Sequence, residues 1–280
     1  MSLALIPHKP DLQLGPHLLT FADHTWVMAV INLSPESRNP QSVASGVREA
    51  VTMARRYREM GAGLIDLGGQ SSHYESPTLE SEVELARLLP AVTALVDDGF
   101  VVSVDTWKPD VARAALDAGA HLINDTGGLT HPEMRNVIRE FQAAAVVVYV
   151  EGDNPHQVAG IDTAEGKPAR TALALEGRLK ALAAEGIERV VVDPGIALNY
   201  RSDYEAYTRL QLEVIRSSAA FHRLGKPLLL PIPRKREDHR VAAYISLALE
   251  HGADLIRVHD VAMACDLVEL FGRGAPGPGT

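Results

Sequence analysis

The stretch DLIRVHDVAM, residues 254–263, is the most informative part of the sequence, because it contains a short apolar run that is followed directly by charged residues. Leu255 and Ile256 begin the run, and Arg257, His259 and Asp260 end it. Side chains alternate along a strand, so Arg257 and His259 point to the same side. On a parallel strand covered by helices, polar groups are expected near the end where ligands bind, because in mid-sheet they would need buried partners. The stretch therefore predicts a buried parallel strand that ends in a ligand site.

Seven other short apolar runs share this design. The eight runs are WVMAVIN (26–32), LIDLGG (64–69), VVSVDT (101–106), LINDTGG (122–128), AAVVVYV (144–150), VVVDPGI (190–196), PLLLPI (227–232) and LIRVHD (255–260). Amphipathic helical periodicity fills the segments between them, including one continuous segment over 204–225. Eight strand-then-helix units predict an α/β protein with a single (β/α)8 TIM barrel. An open doubly wound sheet is the alternative, and it would normally have fewer strands.

The alternation continues without a linker-like interruption, which predicts one barrel domain over residues 26–271. Residues 1–25 have no clear period and are predicted to form a leader across one end of the barrel. The Gly/Pro-rich residues 272–280 are predicted to form a flexible tail.

Charge and cysteine content narrow the class of function. Lys and Arg number 27 against 36 Asp and Glu, and the formal charge of -9 argues against nonspecific nucleic-acid binding. The single cysteine, Cys265, excludes a disulfide framework and a cysteine metal site within one chain, and it favours a reducing cytoplasm. No stretch approaches about 20 uninterrupted apolar residues, so neither a membrane span nor a secretory leader is predicted.

Polar residues collect at the ends of seven of the eight predicted strands. In a barrel, these ends and the loops after them form the active face. The polar residues there are Asn32, Gln70, Ser71, Ser72, His73, Asp105, Thr106, Asn124, Asp125, Asp193, Arg234, Lys235, Arg257 and His259. Each one alone is also explained as a helix cap or a turn residue. Together they predict a functional site.

The chemistry of this set favours a flat, nitrogen-rich heterocycle that carries an anion. Asp and Asn at neighbouring strand ends can pair with an amino-imino edge, while Arg or Lys can stack, bind carbonyls or hold phosphate. Asn32, Arg257 and His259 suit an anion or a hydrated metal that bridges phosphate oxygens. Several nucleobase-like ligands satisfy this pattern.

Six segments, in order, resemble dihydropteroate synthase over nearly the whole barrel. They are MAVINLSPES, GAGLIDLGGQSS, VVSVDTWKPDVARAALDAGAHLINDTGG, VVVDPG, PRK and GADLIRVHD. The third and the last are the most specific, because they extend beyond generic barrel patterning. The resemblance implies an enzyme that condenses 6-hydroxymethyl-7,8-dihydropterin diphosphate with 4-aminobenzoate in folate biosynthesis. It also implies a Mg²⁺ cofactor and association as a homodimer.

The resemblance assigns roles to individual positions. Those that match the family's pterin contacts are Asp105, Asn124, Asp193, Lys235 and Arg257. Asn32 and His259 match positions that face the diphosphate and its magnesium, with Asn32 at the metal. The implied catalysis is electrostatic, because Arg257, His259 and Mg²⁺ would stabilise the departing charge. The implied catalytic residues are Lys235, Arg257, His259 and Asp105.

Two loops depart from the family pattern. After the first strand, Arg38 stands where the family has phenylalanine. After the second, Ser72 replaces threonine and His73 replaces an arginine that helps to hold diphosphate. A histidine is mostly neutral at pH 7 unless its site raises its pKa. We expect His73 to take the diphosphate role and Ser72 and Arg38 to contact the second substrate.

Arg236 stands where the family has a serine that contacts the benzoate carboxylate. An arginine can bind a carboxylate, even bidentately, so Arg236 is a further predicted contact for the second substrate. A solvated basic loop is the alternative explanation.

Three hypotheses follow, because the positions that match the family's pterin contacts are retained while the two loops are altered. The chain is a divergent synthase, or a paralogue that uses another amine acceptor or a one-carbon pterin, or a non-catalytic pterin-binding protein. The presence of both Arg257 and His259 on the leaving-group side favours an enzyme.

Overall fold

The computed structural model of the protein describes residues 9–158, 160–198, 203–233, 235 and 237–273. A short antiparallel hairpin of β1 (Leu12–Leu14) and β2 (His17–Leu19) precedes a sheet of eight parallel strands. These strands are β3 (Trp26–Asn32), β4 (Leu64–Gly68), β5 (Val102–Asp105), β6 (Leu122–Asp125), β7 (Ala144–Val148), β8 (Val190–Asp193), β9 (Leu229–Pro231) and β10 (Leu255–Val258).

The eight strands form a barrel in chain order. Neighbours pair in parallel from β3 to β8, and β10 lies between β9 and β3. A bridge between Val192 and Leu228 joins the β8 side to the β9 side and closes the ring. The prediction of a single (β/α)8 barrel is confirmed. Closure brings the carboxyl ends of all eight strands to one face.

Several strands end before the predicted runs do, because side-chain hydrogen bonds turn the backbone. Asp125 accepts hydrogen bonds from the backbone N–H groups of Gly127 and Leu129, each at 2.8 Å. Asp193 accepts one from Gly195 at 2.6 Å. A carboxylate that caps the backbone two residues later competes with the strand ladder. Each predicted run therefore contains both a strand and the start of a functional loop.

Helices follow the barrel strands and cover their outer side. They are α1 (Val47–Glu59), α2 (Ser81–Asp97), α3 (Pro109–Asp117), α4 (Pro132–Glu140), α5 (Lys167–Ala184), α6 (Tyr204–Arg216), α7 (Ser218–His222), α8 (Asp238–Glu250) and α9 (Val261–Phe271). A 3-10 turn, Pro40–Ser42, lies between β3 and α1.

The predicted continuous helix over 204–225 is wrong, since the structure divides it into α6 and α7. Ser217 separates the two helices, and the Ser218 hydroxyl donates a hydrogen bond to the Ile215 carbonyl at 2.7 Å. Serine side chains that bond to nearby backbone favour helix ends over helix interiors. Asp203 caps the start of α6 by accepting from the Ala206 N–H at 2.8 Å.

The hairpin packs against the apolar interior of the barrel. Leu14, Leu19 and Phe21 are buried in one cluster with the barrel residues Met28 and Val146. Burial of apolar surface stabilises this arrangement by about 25 cal/mol per Å² removed from water. The described part of the predicted leader, residues 9–25, therefore contributes to the core, while residues 1–8 lie outside the described residues.

The end of the described chain is tied to the same region. Arg273 donates hydrogen bonds to the carbonyls of Phe21 and Ala253 and to the Asp254 carboxylate, each at 2.7 to 2.9 Å. Residues 274–280 lie outside the described residues, so the flexible tail stays a prediction. Within the described ranges, no helix has the length and apolar character needed to cross a bilayer.

Candidate functional site

A cavity of about 330 Å³ lies at the carboxyl ends of the barrel strands. Eight of the eleven site residues predicted from the sequence line it: Asn32, Arg38, Ser72, His73, Asp105, Lys235, Arg257 and His259. Asn124 and Asp193 are buried, at 2% and 4% exposure. Arg236 lies outside the described residues, so its predicted role stays a prediction.

The floor of the cavity is an ion-pair network centred on Arg257. Its Nε donates to Asp66 Oδ2 at 2.6 Å, and its Nη2 donates to Asp105 Oδ2 at 2.7 Å. The Arg257 side chain is 17% exposed, and that of Asp66 is fully buried. Burial acts to lower the pKa of Arg257, but Asp66 and Asp105 outweigh it, so that the pKa is raised. The guanidinium therefore stays charged and is held in one orientation by two carboxylates.

Asp66 organises the floor, although it is not among the site residues predicted from the sequence. Its Oδ1 accepts from the Ser103 hydroxyl at 2.6 Å, and its Oδ2 accepts from Asn124 Nδ2 at 3.2 Å as well as from Arg257. A signal was present, because a carboxylate in the middle of the apolar run LIDLGG cannot be buried without partners. Asp66 therefore positions both Asn124 and Arg257, two of the predicted pterin contacts.

Two further carboxylates of the floor titrate far from their ordinary range. Burial raises the pKa of Asp105 to about 7, against the opposing effect of Arg257. Burial also raises the pKa of Asp193 to about 7, against the hydrogen bond from Gly195 and the charge of Arg257. Buried carboxyl groups with specific charged partners in a cleft are typical of functional sites. The floor can therefore exchange protons near neutral pH.

Lys235 lines the cavity beside α6 and α8. Its Nζ donates to Gln211 Oε1 at 2.8 Å and to Thr208 Oγ1 at 3.3 Å. The Nζ also lies over the rings of Tyr204 and Tyr244, 5.2 and 4.7 Å from their centroids. Burial lowers the pKa of Lys235 to about 8. The structure thus places Lys235 on the cavity wall, in a cage of polar and aromatic groups.

His259 is joined to the loop between β3 and α1. Its Nε2 lies 3.0 Å from Asn39 Nδ2, and its Nδ1 lies 2.9 Å from Ser42 Oγ. With the Asn39 amide as donor, Nε2 is the acceptor and Nδ1 carries the proton. Ser42 also accepts from Asn32 Nδ2 at 3.0 Å. Asn39 and Ser42 carried no sequence signal, because their contacts are with His259, which lies directly after β10 and about 220 positions later in the chain.

The rim of the cavity consists of the loops after β3 and β4, residues 33–46 and 69–80. Arg38 Nη2 donates to Glu75 Oε2 at 2.5 Å across the two loops, and the two side chains are 51% and 54% exposed. His73 is buried and stacks on Tyr74, with ring centroids 4.6 Å apart. Burial and the nearby Arg38 lower the pKa of His73. At pH 7 the ring is therefore neutral and supplies a hydrogen-bonding group, not a charge.

One partly buried ion pair and one buried ion pair anchor the two loops at their bases. Glu36 accepts from Arg87 at 3.0 Å through both of its oxygens, and these hydrogen bonds lower its pKa to about 2. Lys108 Nζ contacts Glu84 Oε2 and Gln70 Oε1, each at 2.8 Å. These contacts hold the loop bases, while the side chains of Arg38 and Glu75 on the rim are about half exposed.

The residues near Asn32 fit a Mg²⁺ ion that is held mainly by a substrate. Among the described residues, no group of three or more His, Cys, Asp or Glu side chains could ligate a metal. Asn32 Nδ2 is bound to Ser42, and no hydrogen bond from a described residue reaches Oδ1. Gly68 leaves space there, since a Cβ at that position would lie 3.2 Å from Oδ1. One amide oxygen, with phosphate oxygens and water, is a donor set that Mg²⁺ accepts.

Comparison with known proteins identifies relatives along the whole barrel. The sequence pattern of the family described as pterin binding enzyme matches residues 28–259. The dihydropteroate synthase of Synechocystis is 27% identical over 94% of this chain and 96% of its own. A probable bifunctional folylpolyglutamate synthase/dihydropteroate synthase of Halobacterium salinarum is 32% identical, but the chain spans only 30% of its length.

A solved structure shows the same relation. The dihydropteroate synthase of Xanthomonas albilineans, determined with 4-aminobenzoic acid, superposes with a TM-score of 0.77. It is 30% identical to this chain, and the match covers 94% of this chain and 97% of the other. The chain therefore belongs to the dihydropteroate synthase family of pterin-binding enzymes.

Proposed function

We propose that the protein is a dihydropteroate synthase. It joins the 7,8-dihydropterin 6-methylene group to the amino nitrogen of 4-aminobenzoate and releases diphosphate. The observation that carries the proposal is the buried Asn124 Oδ1, which has no hydrogen-bond partner among the described residues. A buried acceptor without a donor costs about 1–3 kcal/mol, unless a ligand supplies the donor. The amino-imino edge of a pterin is such a donor.

The floor suits the electronic demands of this reaction. The methylene C–O bond breaks, its electron pair leaves with diphosphate, and the arylamine nitrogen forms the new C–N bond and then loses a proton. Asp105 and Asp193, when ionised, stabilise the electron-poor pterin that develops. Arg257, held by Asp66 and Asp105, packs against the ring, and Lys235 binds the pterin from the wall.

The leaving-group side consists of Asn32, His73, Arg257 and His259, which line the same cavity. His73 takes the diphosphate role as a neutral ring, since burial lowers its pKa. Asn32 Oδ1 would hold Mg²⁺, which supplies charge neutralisation to the diphosphate oxygens when it is bound.

The rim supports a role for Arg38 and Ser72 at the second substrate. Both line the cavity, and the Arg38 guanidinium can bind the carboxylate of 4-aminobenzoate if it exchanges with Glu75. The same Arg38–Glu75 pair supports a second candidate function, transfer to a different amine, because the substrate would have to compete with a resident carboxylate. We also propose a homodimer located in the cytoplasm, on the strength of the family resemblance.

A direct assay separates the candidates. The protein is incubated with 6-hydroxymethyl-7,8-dihydropterin diphosphate, Mg²⁺ and 4-aminobenzoate, and diphosphate release and the pterin product are followed by mass spectrometry. We expect equimolar diphosphate and dihydropteroate. Diphosphate release only with other amines would favour the second candidate. Absence of pterin binding by calorimetry would contradict both.

A further inference from the structure

Gln211 on α6 is a buried residue whose polar atoms are all engaged. Its Oε1 accepts from Lys235 Nζ at 2.8 Å and from the Tyr244 hydroxyl at 3.2 Å, and its Nε2 donates to the Ile196 carbonyl at 2.7 Å. The side chain is 3% exposed. Two donors on the oxygen and one acceptor on the nitrogen define the amide orientation. In a flipped amide, the NH2 group would face the Lys235 ammonium and the oxygen would face the Ile196 carbonyl.

The Ile196 carbonyl connects this amide to the turn that carries Asp193. Asp193 ends β8, and its Oδ1 accepts from the Gly195 N–H at 2.6 Å. Tyr207 on α6 reinforces the turn, since its hydroxyl contacts the carbonyls of Ile196 and Leu198 at 3.1 and 2.8 Å. One buried amide therefore bridges the Asp193 turn and the Lys235 ammonium.

The electrostatic surroundings make Lys235 sensitive to its hydrogen-bond acceptor. The groups that face it are Tyr204 on α6 and Tyr244 on α8, with Arg240 of α8 nearby, while Arg257 and Asp105 line the same cavity. The neighbouring Arg234 and Arg236 lie outside the described residues. Burial, followed by the charge of Arg240, lowers the pKa of Lys235 to about 8. A neutral acceptor at 2.8 Å favours the charged form against both effects.

We propose that Gln211 is a positioning residue that holds the Lys235 ammonium and the Asp193 turn at fixed places around the ligand cavity. It acts through these two groups and does not itself carry out chemistry. Its consequence for turnover rests on the proposed function. Its control of Lys235 does not, because that control is a property of the protein without substrate.

The first test measures the titration of Lys235 in the whole protein. The chain has six lysines, Lys9, Lys108, Lys167, Lys180, Lys226 and Lys235, so ¹³Cε-lysine labelling gives few NMR signals, and Lys235→Met assigns the relevant one. Gln211→Met removes the acceptor, and we expect the pKa of Lys235 to fall by about one unit. Gln211→Glu adds a carboxylate, and we expect a rise of about one unit or more.

Opposite shifts distinguish positioning of Lys235 from a general packing role, which would give no shift or two shifts in one direction. Either of those results would overturn the proposal. If Gln211→Met does not fold, Gln211→Asn replaces it. The asparagine side chain is one methylene shorter, so its amide oxygen no longer reaches Lys235 Nζ, and the pKa of Lys235 should again fall. Gln13→Met alters an exposed glutamine in the hairpin at the other end of the barrel and should leave the Lys235 signal unchanged.

The second test follows kcat/KM for the pterin substrate against pH. We expect the basic limb of the profile to move down in Gln211→Met and up in Gln211→Glu, in step with the NMR titration. A limb that stays fixed while the Lys235 signal moves would overturn the link to turnover. Complete absence of synthase activity in the wild-type protein would remove the proposed function instead, and the titration would still decide the role of Gln211.

Discussion

The floor and the rim of the cavity both contain ion pairs, but the ion pairs of the floor are more deeply buried than the Arg38–Glu75 pair of the rim. On the floor, Asp66 is fully buried and the Arg257 side chain is 17% exposed. On the rim, the side chains of Arg38 and Glu75 are 51% and 54% exposed. An arginine–carboxylate ion pair therefore contributes differently to the free energy of unfolding in the two regions.

The two degrees of burial give a substitution in each region a different cost in stability. An exposed ion pair is typically worth about 0.2–1 kcal/mol, because solvent screens it. Removal of one partner from a buried pair costs about 3–5 kcal/mol, because the other charge is left without compensation. The resemblance to dihydropteroate synthase indicates departures at Arg38 and His73 on the rim and matches at Asp105 and Arg257 on the floor. We therefore expect a substitution at the exposed Arg38–Glu75 pair to cost less stability than one at the buried pair of Asp66 and Arg257.

The largest effect is expected for Asp66→Asn. The amide oxygen could still accept from Arg257 and Asn124 while the amide nitrogen donates to the Ser103 hydroxyl, but the negative charge that faces the buried Arg257 would be lost. We expect a loss of about 3–5 kcal/mol in the free energy of unfolding, measured by urea denaturation. We also expect pterin binding to be weakened in calorimetry, since Arg257 would keep only one of the two carboxylates that hold it.

Glu140→Gln is the matched control, because Glu140 forms a bidentate pair with Arg113 at the surface. The Arg113 side chain is 43% exposed, and that of Glu140 is 58% exposed. It should leave both stability and pterin binding near the wild-type values. Equal destabilisation in the two variants would contradict the distinction between buried and exposed pairs.

The second prediction concerns pH and the carboxylates of the floor. Burial raises the pKa of Asp105 and of Asp193 to about 7. An ionised carboxylate only accepts hydrogen bonds, so pterin affinity should rise as the pH increases from about 5.5 to about 8. Calorimetry with a pterin ligand at stepped pH measures this trend. In Asp105→Asn the dependence should become shallower.

The free energy of unfolding of the ligand-free protein should fall with increasing pH, in contrast to the pterin affinity. A carboxyl group whose pKa in the folded state lies above its unfolded value stabilises the fold fully below the unfolded pKa, and this contribution is lost as the pH rises through the folded pKa. Asp105 and Asp193 should therefore lower the unfolding free energy of the protein without ligand as the pH passes from about 4 to about 7. Affinity and stability that rise together over this range would show that burial does not dominate the titration.

The barrel and most of its floor were predictable from the sequence, because both depend on local patterns. Apolar runs that end in polar residues locate strands and their carboxyl ends, and parallel closure brings those ends together. Asp105, Asp193 and Arg257 could therefore be placed in one site before any contact was known. Asp66 was missed because its role depends on Arg257, 191 positions away, although its place in an apolar run was a usable signal.

The rim was less predictable, because its contacts join residues of different loops, and no local sequence pattern indicates which loop residues meet. Nothing in the pattern around Arg38 indicates a bond to Glu75, 37 positions later, or one between Asn39 and His259. Gln211 was equally hidden, since a glutamine on a helix is ordinarily solvent-exposed. Local periodicity predicts which face of an element is buried, but not which polar partner it meets there.

The smallest effect is expected at the rim, for the Arg38–Glu75 pair. Arg38→Met and Glu75→Gln, combined in a double-mutant cycle, should show a coupling of about 0.2–1 kcal/mol in unfolding, weakened further at high salt. Their effects on the second substrate should differ in sign. Glu75→Gln releases Arg38 and should lower the KM for 4-aminobenzoate, whereas Arg38→Met should raise it, each by less than about tenfold.

The neutral analogue 4-aminobenzamide provides the control, because it lacks the carboxylate that Arg38 would bind. Its KM should change little in either variant, while pterin affinity stays unchanged in both. A similar change for the amide and the acid would mean that Arg38 acts on loop position and not on charge. A change in pterin affinity would mean that rim and floor are energetically coupled, since the rim pair would then influence residues such as Asp105 that it does not touch.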